Sequence, residues 1–215
     1  MPRLATFATV ALSLSIAVFT GEQPEAAAQA KPVSMFDGKT FTGWEGNLKS
    51  FRIEDGAIVG GTLKERIPRN EFLCTEKTYG DFELRLRVKL LGAGANAGIQ
   101  FRTKRIPNHH EVIGYQADMG DGWWGSLYDE SRRKTLLAAA DKALIAKILK
   151  PVDWNDYVIR AEGAHIQLFL NGQKTVDYTE KDAQIERTGV IAVQIHGGPP
   201  SEAWYRDITI VELSK

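Results

Sequence analysis

The chain has 215 residues, in which 27 Lys and Arg are matched by 27 Asp and Glu, leaving no net charge. That balance offers no attraction to nucleic acid or to an anionic membrane surface. A single cysteine, Cys74, rules out a disulfide framework and a Cys/His zinc cluster, so burial of apolar surface must hold the fold.

In chain order, residues 1–30 come first and read as an export leader. Arg3 precedes an apolar, uncharged run from Leu4 to Thr20, and Ala28-Gln29-Ala30 forms an A-x-A cleavage pattern. The run is short for a membrane span. The expectation is cleavage after Ala30, export to the periplasm or the cell exterior, and one domain over residues 31–215. "SFRIEDGAIVGG" predicts two strands around an Asp55-Gly56 hairpin turn. Cys74, in "EFLCTEK", reads as a small buried residue. "DFELRLRVKL" alternates strictly, with Phe82, Leu84, Leu86, Val88 and Leu90 on one face and charges on the other. "NAGIQFRTK", "VIGYQADM", "WNDYVIRAEG", "HIQLFLNGQ", "TGVIAVQIHGG" and "YRDITIVEL" alternate too, with glycine-bearing turns such as Asn171-Gly172 between them. So many short strands with turn signals predict a β-sandwich or barrel. "SRRKTLLAAADKALIAKILKPVDW" breaks the rhythm. Its near-helical spacing predicts a short helix or a crossing loop that stops before Pro151.

Alternation also sorts the polar residues. Gln100 and Arg102 face away from Ile99 and Phe101. Gln116 and Asp118 face away from Tyr115 and Ala117, and Gln194 and His196 from Val193 and Ile195. If these strands are neighbours, the six residues form one polar floor. Their planar groups suit specific hydrogen bonds better than the flexible charges of an ordinary solvent face. The stretch "GYQADMGDGWWGSLYDE" then supplies a rim. Trp123 and Trp124 can stack on a ligand or wall the cleft, and Tyr128, Asp129 and Glu130 return to it, with Arg132 and Arg133 placed to pin the acids. Asn96 is a further candidate. Trp44, Trp154 and Trp204 read as packing residues. "DMGDG" invites Ca²⁺ but lacks a full ligand set, so no cofactor is assigned.

"FDGKTFTGW" (36–44), "DFELRLRVKL" (81–90), "NAGIQFR" (96–102), "GYQADMGDGWWGSLYDE" (114–130), "WNDYVIRAEG" (154–163), "LFLNGQ" (168–173) and "VIAVQIHGGPPSEAWYRDITI" (190–210) recur in this order and spacing in a known family. Over nearly all of residues 31–215 the chain resembles the 3-keto-disaccharide hydrolase domain. Many relatives carry "GYEVQ", with an acid in the Gln116 slot or beside it, where this chain has "GYQAD". The resemblance implies an all-β, concanavalin A-like jelly roll of two curved antiparallel sheets. It also implies a glycoside already oxidised to a ketone at carbon 3, supplied by a separate sugar 3-dehydrogenase. Such a ketone acidifies the hydrogen on carbon 2. Its removal by a base allows elimination at carbon 1, and water then adds back. On that implication Asp118 or His196 is the base, Arg102 stabilises the enolate oxygen, and Gln100, Gln116, Tyr128, Asp129, Glu130, Gln194, Trp123, Trp124 and Asn96 bind substrate. The alternatives are a carbohydrate-binding module on the same sandwich, which would bind without turnover, and a protein-interaction domain.

Overall fold

The computed structural model describes residues 31–213, together with Met1. The leader therefore lies outside the described residues. Strands β1 (Val33–Ser34) and β2 (Trp44–Glu45) are short, and β3 (Phe51–Glu54) and β4 (Ala57–Thr62) form a hairpin. Four long strands follow: β5 (Glu71–Tyr79), β6 (Phe82–Leu91), β7 (Asn96–Arg105) and β8 (Val112–Gly120). Then come β9 (Leu127–Glu130), β10 (Thr135–Ala138) and a helix, α1 (Lys142–Ile148). The chain continues with β11 (Asn155–Glu162), β12 (His165–Leu170), β13 (Gln173–Thr179), β14 (Gly189–Ile195) and β15 (Ser201–Glu212).

These strands make two antiparallel sheets. One runs β13-β12-β11-β6-β15-β4-β3, with β1 also on β15, and the other runs β10-β9-β8-β7-β14-β5-β2. The expected jelly-roll sandwich is what forms. Both predicted hairpin turns use paired left-handed residues, Asp55 and Gly56 at φ 50° and 72°, and Asn171 and Gly172 at 49° and 80°. Two positive φ values in a two-residue loop match the right-handed twist of the flanking strands. The segment that broke the strand rhythm divides. Thr135–Ala138 pairs with β9, and α1 then starts at Asp141, whose side chain accepts a hydrogen bond from Leu144 N at 2.8 Å.

The inward faces supply the core: Phe82, Leu84, Leu86 and Val88 from β6 meet Ile99, Phe101, Tyr115 and Ala117 from β7 and β8. Fully burying such large apolar side chains is worth about 1.5–3 kcal/mol each. Two fully buried tyrosines tie one sheet to the other. The Tyr157 hydroxyl donates to the Asp118 carbonyl at 3.2 Å, and Tyr205 reaches the carbonyls of Gln194 at 2.5 Å and Gly98 at 3.3 Å. Those three carbonyls belong to β8, β14 and β7, the strands of the predicted floor. On the far side of that sheet, Phe72, Cys74, Val112 and Ala192 form a small apolar cluster of their own. Burial there pushes the Cys74 thiol up to about 12, so it stays protonated and inert.

Candidate functional site

The strand order β8-β7-β14 makes the three polar-faced strands adjacent. Gln116 stands opposite Gln100, and Asp118 opposite Gly98. The side chains then form one directed chain. Thr103 Oγ1 donates to Gln100 Oε1 at 3.1 Å, Gln100 Nε2 donates to Gln116 Oε1, and Gln116 Nε2 donates to Asp118 Oδ1. Every amide in the series gives with nitrogen and takes with oxygen, and the direction runs toward the carboxylate. Asp118 Oδ2 is buried with no partner among the described residues. Burial raises the Asp118 pKa, the Gln116 bond lowers it and the Glu130 charge raises it, leaving it at about 7.

Asp118 lines a cleft of about 190 Å³ with Asn70, Asn96, Gln116, Trp123, Tyr128, Glu130 and His196. Tyr128 and Glu130 come from alternate positions of β9, Tyr128 directly opposite Gln116. Burial, then the neighbouring Glu111 charge, raises the Glu130 pKa, against Ser131 N and His196, which lower it. His196 lies one residue past β14, and its Nδ1 sits 2.7 Å from the Gly197 carbonyl. A carbonyl only accepts, so Nδ1 carries the proton, and in the neutral ring Nε2 holds the lone pair. Trp123, 40% exposed, packs edge-on against Tyr128 with ring centroids 6.1 Å apart. Its loop is fixed: Trp123 N and Trp124 N both donate to Gly120 O, and Gly125 N donates to Asp118 O. A larger hollow of about 770 Å³ lies elsewhere, by Lys49, Arg52 and Glu202. Arg52 there is already paired with Glu54 and Glu202, so the smaller cleft, with its unbonded carboxylate oxygen, is the stronger candidate site.

Five predicted site residues stand outside this cleft, among them Gln100, which is fully buried and only hands a hydrogen bond on to Gln116. Arg102 is the main correction. The β7 register slips between Phe101 and Lys104, and Arg102 takes φ 47°. That bulge turns Thr103 toward Gln100 and sends Arg102 away to the Gly80 carbonyl, the Gly163 carbonyl and Asp81, at 3.0, 2.7 and 2.8 Å. It is a buried staple between turns and is not available to an enolate. Asp129 points away from Tyr128 and Glu130, fully buried, and is pinned by Arg132 at 2.9 Å and by Arg133. Trp124 turns to the opposite side of its loop from Trp123, into a hollow beside Ile145 and Leu149. Gln194 is fully buried, and neither Nε2 nor Oε1 of its amide has a partner among the described residues.

A family model described as the 3-keto-alpha-glucoside-1,2-lyase-like domain matches residues 31–211. The chain belongs to that family. Three solved structures share its fold. Two are candidate glycosyl hydrolases of Parabacteroides distasonis. One has a TM-score of 0.65 at 19% identity over 85% of this chain and 94% of its own. The other has a TM-score of 0.64 at 23% identity over 85% of this chain and 100% of its own. The third is the carbohydrate-binding module CBM66 of Bacillus subtilis, with a TM-score of 0.62 at 12% identity over 79% of this chain and 95% of its own. No curated protein matches the chain in sequence. Family membership and fold together support a sugar-related role.

In this lyase-like domain the cleft also uses residues that sequence patterning passed over. Asn70, just before β5, accepts from Gly197 N at 2.9 Å and donates to Glu111 at 3.1 Å, tying the His196 corner to the 106–111 loop. Beside it, Glu111 Oε2 is buried without a partner among the described residues. Both lie outside alternating segments, so strand periodicity carried no signal for them. Among the described residues, no group of three His, Cys, Asp or Glu is arranged to hold a metal ion.

Proposed function

We propose that this domain cleaves 3-keto-glycosides by elimination across carbons 1 and 2, followed by hydration. The observation that carries this reading is Asp118: one oxygen is held by Gln116, the other is free, and a carboxyl near pKa 7 stands in a sugar-sized cleft. A base poised near the working pH combines the right protonation state with useful basicity. Asp118 Oδ2 takes the carbon-2 proton, and the electron pair moves onto the carbon-3 oxygen as an enolate. Tyr128 and Asn96 are the neutral donors in the cleft for that oxygen, in place of Arg102. The enolate then collapses, the carbon 1–carbon 2 double bond forms and the carbon 1–oxygen bond breaks. Glu130, whose raised pKa lets it carry a proton, protonates the leaving oxygen. Water then adds hydroxyl to carbon 1 while its other proton passes to the ionised Glu130, and Asp118 returns its proton to carbon 2, so both acids are restored and the net change is hydrolysis. Trp123 supplies the exposed aromatic face for the ring. His196 Nε2 orders a hydroxyl.

The substrate must come from a dehydrogenase that oxidises carbon 3. The leader pattern of residues 1–30 supports action outside the cytoplasm. The test pairs a chromogenic 3-keto-glycoside with its unoxidised parent. The expected result is release from the keto form alone, with exchange of the carbon-2 hydrogen in heavy water. Release from both would point to an ordinary glycosidase, and saccharide binding without release to a binding module.

A further inference from the structure

Gly98 sits within β7 in backbone that is not left-handed, so nothing in its φ requires glycine, and glycine weakens a strand interior. Its value lies in the space above it. A Cβ built at Gly98 falls 2.6 Å from Cδ, 2.6 Å from Cγ and 3.0 Å from Nε2 of Gln116, and those are its three nearest atoms. Gln116 starts opposite Gln100, one row away, and leans over Gly98 into the row that Gly98 shares with Asp118. There it gives Nε2 to Asp118 Oδ1. A side chain at residue 98 and this placement of Gln116 cannot coexist.

We propose that Gly98 is a positioning residue for the catalytic carboxylate: its notch lets Gln116 lie across β7 and hold Asp118 Oδ1, so that Oδ2 alone is left unbonded for the substrate proton. This rests on the keto-glycoside reading for its catalytic meaning. The other groups facing Asp118 are Glu130 and Tyr128 from β9, His196 beyond β14 and, beneath the sheet, Tyr157 from β11. None of them depends on the notch. The colliding atoms belong to a flexible side chain and not to backbone, so Gly98→Ala keeps the strand ladder and displaces Gln116 alone.

The test is a double-mutant cycle on the full-length protein with Gly98→Ala, Gln116→Ala and the two combined. Two quantities are followed: turnover of a 3-keto-glycoside against pH, and the carbon-13 NMR titration of the Asp118 carboxyl. Gly98→Ala is expected to lower kcat about tenfold, the scale of one lost hydrogen bond to a charged acceptor, with KM within about twofold. The lost amide bond favoured the carboxylate, so the Asp118 titration and the acidic limb of the rate profile both move to higher pH. In the Gln116→Ala background the Gly98→Ala change adds less than about twofold, because the colliding atoms are gone. Independent, multiplying effects overturn the proposal. So does an unmoved Asp118 titration in Gly98→Ala, whether or not the protein turns over a keto-glycoside, which separates this failure from failure of the functional reading. If Gly98→Ala alone does not fold, the double variant must recover the fold, and an equally unfolded double variant overturns the proposal.

Discussion

Asp118 and Trp123 line the same cleft, and the proposed mechanism gives them different stages, so their variants should separate accordingly. Asp118 is buried and bonded on one side only, and on the proposed mechanism it acts on the reacting atoms. Asp118→Asn keeps the shape and the Gln116 contact but cannot take a proton. It should lower kcat by about 10²–10⁴-fold, the usual worth of a general base, with little change in KM. Trp123 is exposed at the rim, and on the proposed reading it meets the sugar ring in ground and transition states alike. Trp123→Ala should raise KM several-fold while kcat holds, the pattern of lost uniform binding. Steady-state kinetics on a 3-keto-glycoside checks both, and a Trp123 variant that loses kcat with unchanged KM would move that residue into the chemistry.

Elements explain which parts of the site were legible in the sequence. The faces of β8 and β14 follow simple alternation, so Gln116, Asp118 and Gln194 lie where the period of two puts them. The Asp55-Gly56 and Asn171-Gly172 turns carry their conformation in the residues themselves. Arg102 is different. Its left-handed backbone has no local signature, because what selects it is remote: the Gly80 carbonyl and the Asp81 carboxylate arrive on the β5–β6 turn that joins the two sheets, and the Gly163 carbonyl on a turn of the other sheet. Burial was equally hidden. Gln100, Gln116 and Asp118 face outward in the pleat yet are at most 3% exposed, covered by structure that alternation does not describe. Arg102→Met should therefore act on the fold and not on the chemistry. It strands Asp81 and two carbonyls, a loss on the order of 3–5 kcal/mol for a broken buried ion pair. Chemical denaturation should show that loss, while kcat per folded molecule stays near wild type. A kcat collapse at full stability would return Arg102 to the reaction.

At the scale of the whole molecule, the sandwich holds an acid in its interior that solvent would keep ionised. Tyr157 and Tyr205 brace the sheet from beneath, and nothing but Gln116 offsets the burial of Asp118. In the unfolded chain this carboxyl titrates near 3.8, and in the folded protein near 7. Between those values the folded protein binds a proton that the unfolded chain has released, so the contribution to stability is full at low pH and falls as pH rises toward 7. Above that range both states are ionised, and the folded state carries a buried charge without a counterion. Asp118→Asn removes that cost. The variant should melt close to wild type near about pH 4 and clearly above it near about pH 8, with the gap opening across the interval between. The acid sensitivity of the other carboxylates is common to both proteins and cancels in the difference. A melting-temperature gap that stays constant with pH would mean that Asp118 is solvated in the folded protein, and the base would then have to be sought at His196. A gap that opens as expected would identify the carboxyl poised for proton transfer as the group that costs the fold stability, a trade found where function needs a strained or buried charge.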